Sequence, residues 1–196
     1  MAAYFSLSNQ VSLSFFNEHS GTLMFTNIKE QLKLELKSLF DISPELISNT
    51  VKFQSAAKQR SSFSGRVFLL PPAYIGSSRR ALRTYQAAVF HMGAHMLYGK
   101  NSFEVGQLKP LQIAIVSIIE DARVEMLASR ELPGLNRLWT KFHDAPSSGI
   151  NTAQRMFERL SRALIDTNFH TDDGWAKKGQ RMFYQARDSW GDPRIS

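Results

Sequence analysis

The sequence predicts a mainly α-helical fold: an irregular helical bundle with two central helices, at about 79–98 and 110–130, and little or no β structure. Two observations carry that expectation. Apolar residues recur every three or four positions in several separate segments, the period of a helix with one face toward a core. Between those segments fall clusters of Pro, Gly, Ser and Asn, which break regular structure. No internal repeat is visible.

Residues 1–20 are polar and aromatic without a clear period. In residues 27–40, Ile28, Leu32, Leu36 and Leu39 fall at helical spacing, with Leu34 outside that face and Glu30 and Lys33 an opposite-charge pair beside it. Asp41 to Pro44 interrupt the pattern. Ser43 ahead of Pro44 and Glu45 is placed to cap a short helix over 44–49. Residues 50–64 are polar and rich in serine, and read as a loop or linker. They suggest a division into an N-terminal helical and loop segment, 1–64, and a helical core, 65–196.

Arg66 to Leu70 could form a short strand, stopped by Pro71 and Pro72. Ser77 or Ser78 caps the first central helix, which runs to about Tyr98 and closes at Gly99. After a loop, Pro110 opens the second at its first turn, and Pro133 and Gly134 end it. Leu135 to Phe142 has room for one or two helical turns, and 143–150 reads as a loop. Asn151 or Thr152 caps a helix reaching about Ile165, with Met156, Leu160 and Leu164 inside. Asp166 to Gly174 is a polar turn. Trp175 to Trp190 reads as a last helix, facing inward through Met182, Phe183, Ala186 and Trp190.

Composition narrows the function. The chain has 196 residues, 43% of them hydrophobic, enough for a real core. It has no cysteine, which excludes disulfides, thiolate metal sites and a cysteine nucleophile. The first residues lack the charged start and apolar run of a signal peptide, and no stretch is apolar enough to span a bilayer, so a cytoplasmic location is expected. The formal net charge of +7 is spread along the chain. Its densest cluster, Arg79, Arg80 and Arg83, reads as a solvated face or a docking face for an acidic protein rather than for nucleic acid. There is no Gly-x-Ser-x-Gly elbow and no phosphate-binding loop.

The chemistry concentrates in the two central helices. On the first, His91 and His95 are four residues apart and share a face with Thr84, Ala87, Ala88 and Tyr98. The second is apolar around its whole circumference, yet carries Glu120, Asp121, Arg123 and Glu125. Such a helix is expected to be buried on several sides. Asp121 and Glu125 share a face one turn apart, Glu120 lies about 100° away, and Arg123 is free to reach a carboxylate of another element. Buried charge must be paired or bound to a metal. The six polar residues could therefore form a hydrogen-bonded cluster without an ion. Alternatively, His91 and His95 with Glu120 or Asp121 could hold a divalent metal such as zinc. A metallopeptidase is a third reading, because His-x3-His is the ligand spacing of His-Glu-x-x-His enzymes. Here the catalytic glutamate is replaced by Met92, which cannot accept a proton. His19, His143 and His170 stand alone in polar context and are expected at the surface.

The run FHMGAHMLYG, the later IIEDARVE and the following ELPGL resemble the N-terminal region of NorD/CbbO-type proteins. These are von Willebrand factor A (VWA) domain partners of MoxR-type AAA+ ATPases. The resemblance rests on His91, His95, Tyr98, Gly99, Glu120, Asp121, Arg123, Glu125, Pro133 and Gly134, and extends more weakly from about Val67 onward. It implies a non-catalytic adaptor that works with the ATPase ring to activate or remodel a target metalloenzyme, such as nitric oxide reductase or Rubisco. The family's VWA domain binds an ion through Asp-x-Ser-x-Ser, which this sequence lacks. With the terminal GDPRIS, that departure suggests the N-terminal part of a longer protein, or a product without the ion-binding half.

Overall fold

The computed structural model describes residues 23–48, 61–74, 77–99, 108–150 and 152–192. The expectations for residues 1–20, for His19, for most of the 50–64 loop, for the loop after Gly99, for the Asn151 cap and for the last four residues lie outside the described residues. The chain forms two compact units, Met1–Met96 and Leu97–Ser196. The expected boundary between 64 and 65 instead falls inside a β-hairpin of the first unit.

In the first unit, β1 (Leu23–Met24) leads into α1 (Phe25–Phe40). Phe25, Ile28, Leu32, Leu36 and Phe40 are buried, so the inward stripe ends on Phe40, and Leu39, expected on it, is exposed. Leu34 is exposed, as its position off the stripe predicts. Asp41 ends the helix in the left-handed conformation, its N–H bonded to the Lys37 carbonyl.

The short helix expected over 44–49 is a strand, β2 (Glu45–Ser48). Leu46 is fully buried between exposed neighbours, the two-residue period of a strand. A segment this short also gains more from a neighbouring ladder than from one helical turn. That neighbour is β4 (Val67–Leu70), parallel to β2, with β3 (Ser62–Ser64) antiparallel on its other side in the order β2-β4-β3. Gly65, at φ 57°, is the first residue of the two-residue hairpin turn, where a side chain would be strained. β5 (Ala73–Tyr74) pairs with β1. The strand expected at 66–70 is thus present, but within two small sheets. The fold is mainly α with a modest β part.

α2 (Ser78–Tyr98) follows, with Tyr85 and every residue from Ala87 to His95 buried. The Tyr85 hydroxyl donates to the Pro71 carbonyl at 2.9 Å, tying α2 to the strand end. Tyr74 packs edge-on against Tyr85 at 4.5 Å, and burial pushes the Tyr74 hydroxyl up to about 12. Gly93 marks a close approach between helices. A Cβ there would stand 3.3 Å from both Ile42 Cδ1 and Leu36 Cδ2 and 3.4 Å from Phe40 Cδ2. Gly93 faces away from His91 and His95, so this packing braces the back of the helix whose other side carries the histidines. Gly93→Val should destabilise the chain by about 1–3 kcal/mol in urea unfolding, because the branched side chain overpacks that contact. An unchanged midpoint would show that the helices do not press together there.

The second unit opens with α3 (Pro110–Glu131). Pro110 occupies its first turn, and the Gln112 side chain accepts a hydrogen bond from the Lys109 N–H at 2.9 Å. Burial on α3 is uneven. Glu120, Ala122 to Glu125 and Ala128 are buried, while Leu111 to Ile119 are exposed or half-buried, so expected burial on several sides holds only for the later turns. Pro133 and Gly134, expected to end a helix, instead begin one: α4 (Pro133–Trp139), continued by a 3-10 turn to Phe142. Thr152 caps α5 (Ala153–Ile165) by accepting from the Arg155 N–H. α6 (Gly174–Gln185) stops short of Trp190, and a 3-10 turn at Arg187–Ser189 completes the segment. Ala122, Leu160, Leu164, Phe183 and Trp190 form the core here, whereas Met182 is exposed.

Candidate metal centre

α2 carries the two histidines on successive turns of one face. His91 is 1% exposed and His95 5%, and their rings meet edge to face with centroids 4.7 Å apart. The His95 ring also meets Phe63, at 5.7 Å. Met92, the position of the general base in a His-Glu-x-x-His peptidase, is buried.

In the second unit, α3 sorts its charged residues by turn. Arg123 is fully buried and makes four hydrogen bonds. Its Nε donates to Glu120 Oε2 at 2.7 Å and its Nη2 to Glu120 Oε1 at 2.6 Å, the two-pronged geometry that makes guanidinium–carboxylate pairs strong. Nη1 donates to the Trp190 carbonyl at 2.7 Å and Nη2 to that of Tyr98 at 2.8 Å. Arg123 was expected to reach another element. It does so through backbone oxygens, while its carboxylate partner is on its own helix. Glu120 therefore gives both oxygens to Arg123. Burial, followed by the hydrogen bond and negative charge of Glu131, pushes the Tyr98 hydroxyl up to about 12. Glu125 is buried and Asp121 half-buried. Within the first unit, the two buried imidazoles of His91 and His95 are a pair of candidate metal ligands on one helix face.

Arg79, Arg80 and Arg83 are exposed on the first turns of α2, and His170 is exposed as expected. His143 is half-buried, its Nδ1 3.2 Å from Ser161 Oγ. Although this pairs a hydroxyl with an imidazole, Ser161 lies within α5, whose backbone N–H groups are engaged in helical bonds. The contact fixes the 143–150 segment against α5.

A second buried ion pair had no sequence signal beyond a polar turn. Arg159 Nη1 donates to Asp173 Oδ2 at 3.2 Å, with both side chains at most 5% exposed. The other Asp173 oxygen accepts from the Trp175 and Ala176 N–H groups and caps α6. Arg159 Nη2 also donates to the Ile150 carbonyl.

Among the described residues, no helix is long and apolar enough to cross a membrane. No protein-family model matches the chain, nor does any curated protein or solved structure.

Proposed function

We propose that this chain is a non-catalytic helical module that holds one divalent transition-metal ion through His91, His95 and Asp121, with zinc the ion expected first. The observation that carries the reading is the buried pair His91 and His95, on successive turns of one helix with ring centroids 4.7 Å apart. Two histidines at that spacing on a helix can share one zinc ion, and Asp121 is the carboxylate proposed to join them. Two imidazoles and a carboxylate suit zinc and its transition-metal neighbours. Magnesium and calcium prefer oxygen alone. Glu120 is set aside as a ligand because Arg123 already engages both its oxygens. Met92 argues against a peptidase, since a thioether cannot take a proton from water.

The setting proposed for this module is that of an adaptor for a MoxR-type AAA+ ATPase, activating or remodelling a metalloenzyme of the nitric oxide reductase or Rubisco kind. The sequence resemblance supports it. The exposed Arg79, Arg80 and Arg83 add a cationic patch suited to an acidic protein face. Co-purification with such a ring, weakened by reversing those three charges, is the expected result; failure of the wild type to bind contradicts the adaptor reading.

For the metal, elemental analysis of protein purified without chelator should find close to one equivalent per chain, lost in the His91→Ala/His95→Ala double variant. A metal-free wild type, or a double variant that retains the ion, contradicts it.

A further inference from the structure

We infer that Phe63 is a positioning residue for the metal ligand His95, an inference that rests on the metal reading above. The His95 imidazole meets two rings: His91, 4.7 Å away along α2, and Phe63, 5.7 Å away and tilted by 38°. A histidine bound through one nitrogen needs its ring plane fixed, because a half-turn about the Cβ–Cγ bond puts a ring carbon where the ligating nitrogen was. His91 is itself a ligand and turns with the site. Phe63 belongs to another element and is fixed independently.

The hairpin supplies that fixity. Phe63 lies directly across from Phe68 in the β3–β4 register, and their rings meet edge to face at 6.0 Å. Phe68 is fully buried in the core of the first unit, so it anchors the pair. Gly65 sets the register through its positive φ, and a slip by one residue would turn Phe63 to the other face of the sheet. Phe63 is half-buried, with one side toward His95, so it also limits water access to that imidazole. Both effects favour binding: a ligand already oriented loses less freedom when the ion arrives, and an apolar wall strengthens the attraction between the ion and its donors.

The test uses the full chain and cobalt(II) ions, whose visible absorption reports coordination number and ligand geometry. Wild type, Phe63→Ala, Phe63→Leu and Phe63→Tyr are titrated, with near-ultraviolet circular dichroism to confirm folding. Phe63→Ala and Phe63→Leu should weaken cobalt binding on the order of tenfold and alter the visible spectrum, while Phe63→Tyr, which keeps the ring, restores both. Phe63→Leu preserves most of the packing volume, so it remains informative if Phe63→Ala does not fold. Unchanged affinity and spectrum in the folded leucine variant overturn the role of Phe63 and leave the metal site standing. A wild type that binds no cobalt overturns the metal reading and this inference with it.

Discussion

Arg123→Ala should destabilise the second unit by about 3–5 kcal/mol, the usual cost of removing one partner from a buried ion pair. The substitution leaves Glu120, only 7% exposed, without the guanidinium that engages both its oxygens. It also removes the donors from the carbonyls of Trp190 and Tyr98. A buried acceptor that loses its donor carries much of its desolvation penalty into the folded state. Glu120→Gln keeps an amide oxygen to accept a hydrogen bond but leaves the buried Arg123 guanidinium without its carboxylate, so most of the loss should remain. Urea unfolding followed by circular dichroism measures both. An Arg123→Ala loss below about 1 kcal/mol is the size expected of a solvated pair and would contradict the buried arrangement.

Asp173→Ala should be nearly as damaging, for two separable reasons. It removes the carboxylate beside buried Arg159, about 3–5 kcal/mol by the same argument. It also removes the N-cap of α6, worth about 1 kcal/mol. Asp173→Asn keeps an oxygen for the Trp175 and Ala176 N–H groups but discards the charge, so comparing the two variants apportions the loss. The ion-pair account predicts that most of the destabilisation survives in the asparagine variant. If Asp173→Asn is close to wild type, the cap is the larger effect and the pair contributes little.

The long helices were legible because each repeats its apolar signal over several turns and has a strong terminator. Pro110 at the start of α3, Thr152 before α5 and Gly99 after α2 each stand where the structure changes. Of the strands only β4 was legible, as the short strand expected over 66–70. β2 has four residues, one of them fully buried, and its ladder partner β4 lies some twenty residues onward, so nothing local distinguishes it from a helical turn. Pro133 and Gly134 misled because the same residues that end one helix can open the next.

At the site, the four-residue spacing of His91 and His95 was enough to put both on one face, and the structure buries both. The choice between Glu120 and Asp121 was harder, since adjacent residues differ by one step around the helix. The pairing of Glu120 was nonetheless in the sequence: Glu120 and Arg123 are three apart, the spacing of an intrahelical pair. The contacts of Arg123 to the Trp190 and Tyr98 carbonyls had no local signal, because they depend on where distant turns finish. The Phe63–His95 contact was hidden for the same reason.

The proposed metal centre is tested most directly by zinc K-edge X-ray absorption on the loaded protein. The account predicts nitrogen and oxygen scatterers at about 2.0–2.2 Å from the zinc, with the more distant features of two histidine rings. Asp121→Ala should lower the oxygen contribution at that distance, and His95→Ala should remove one ring. A loaded wild type whose spectrum shows no histidine scattering, or one left unaltered by both substitutions, contradicts it.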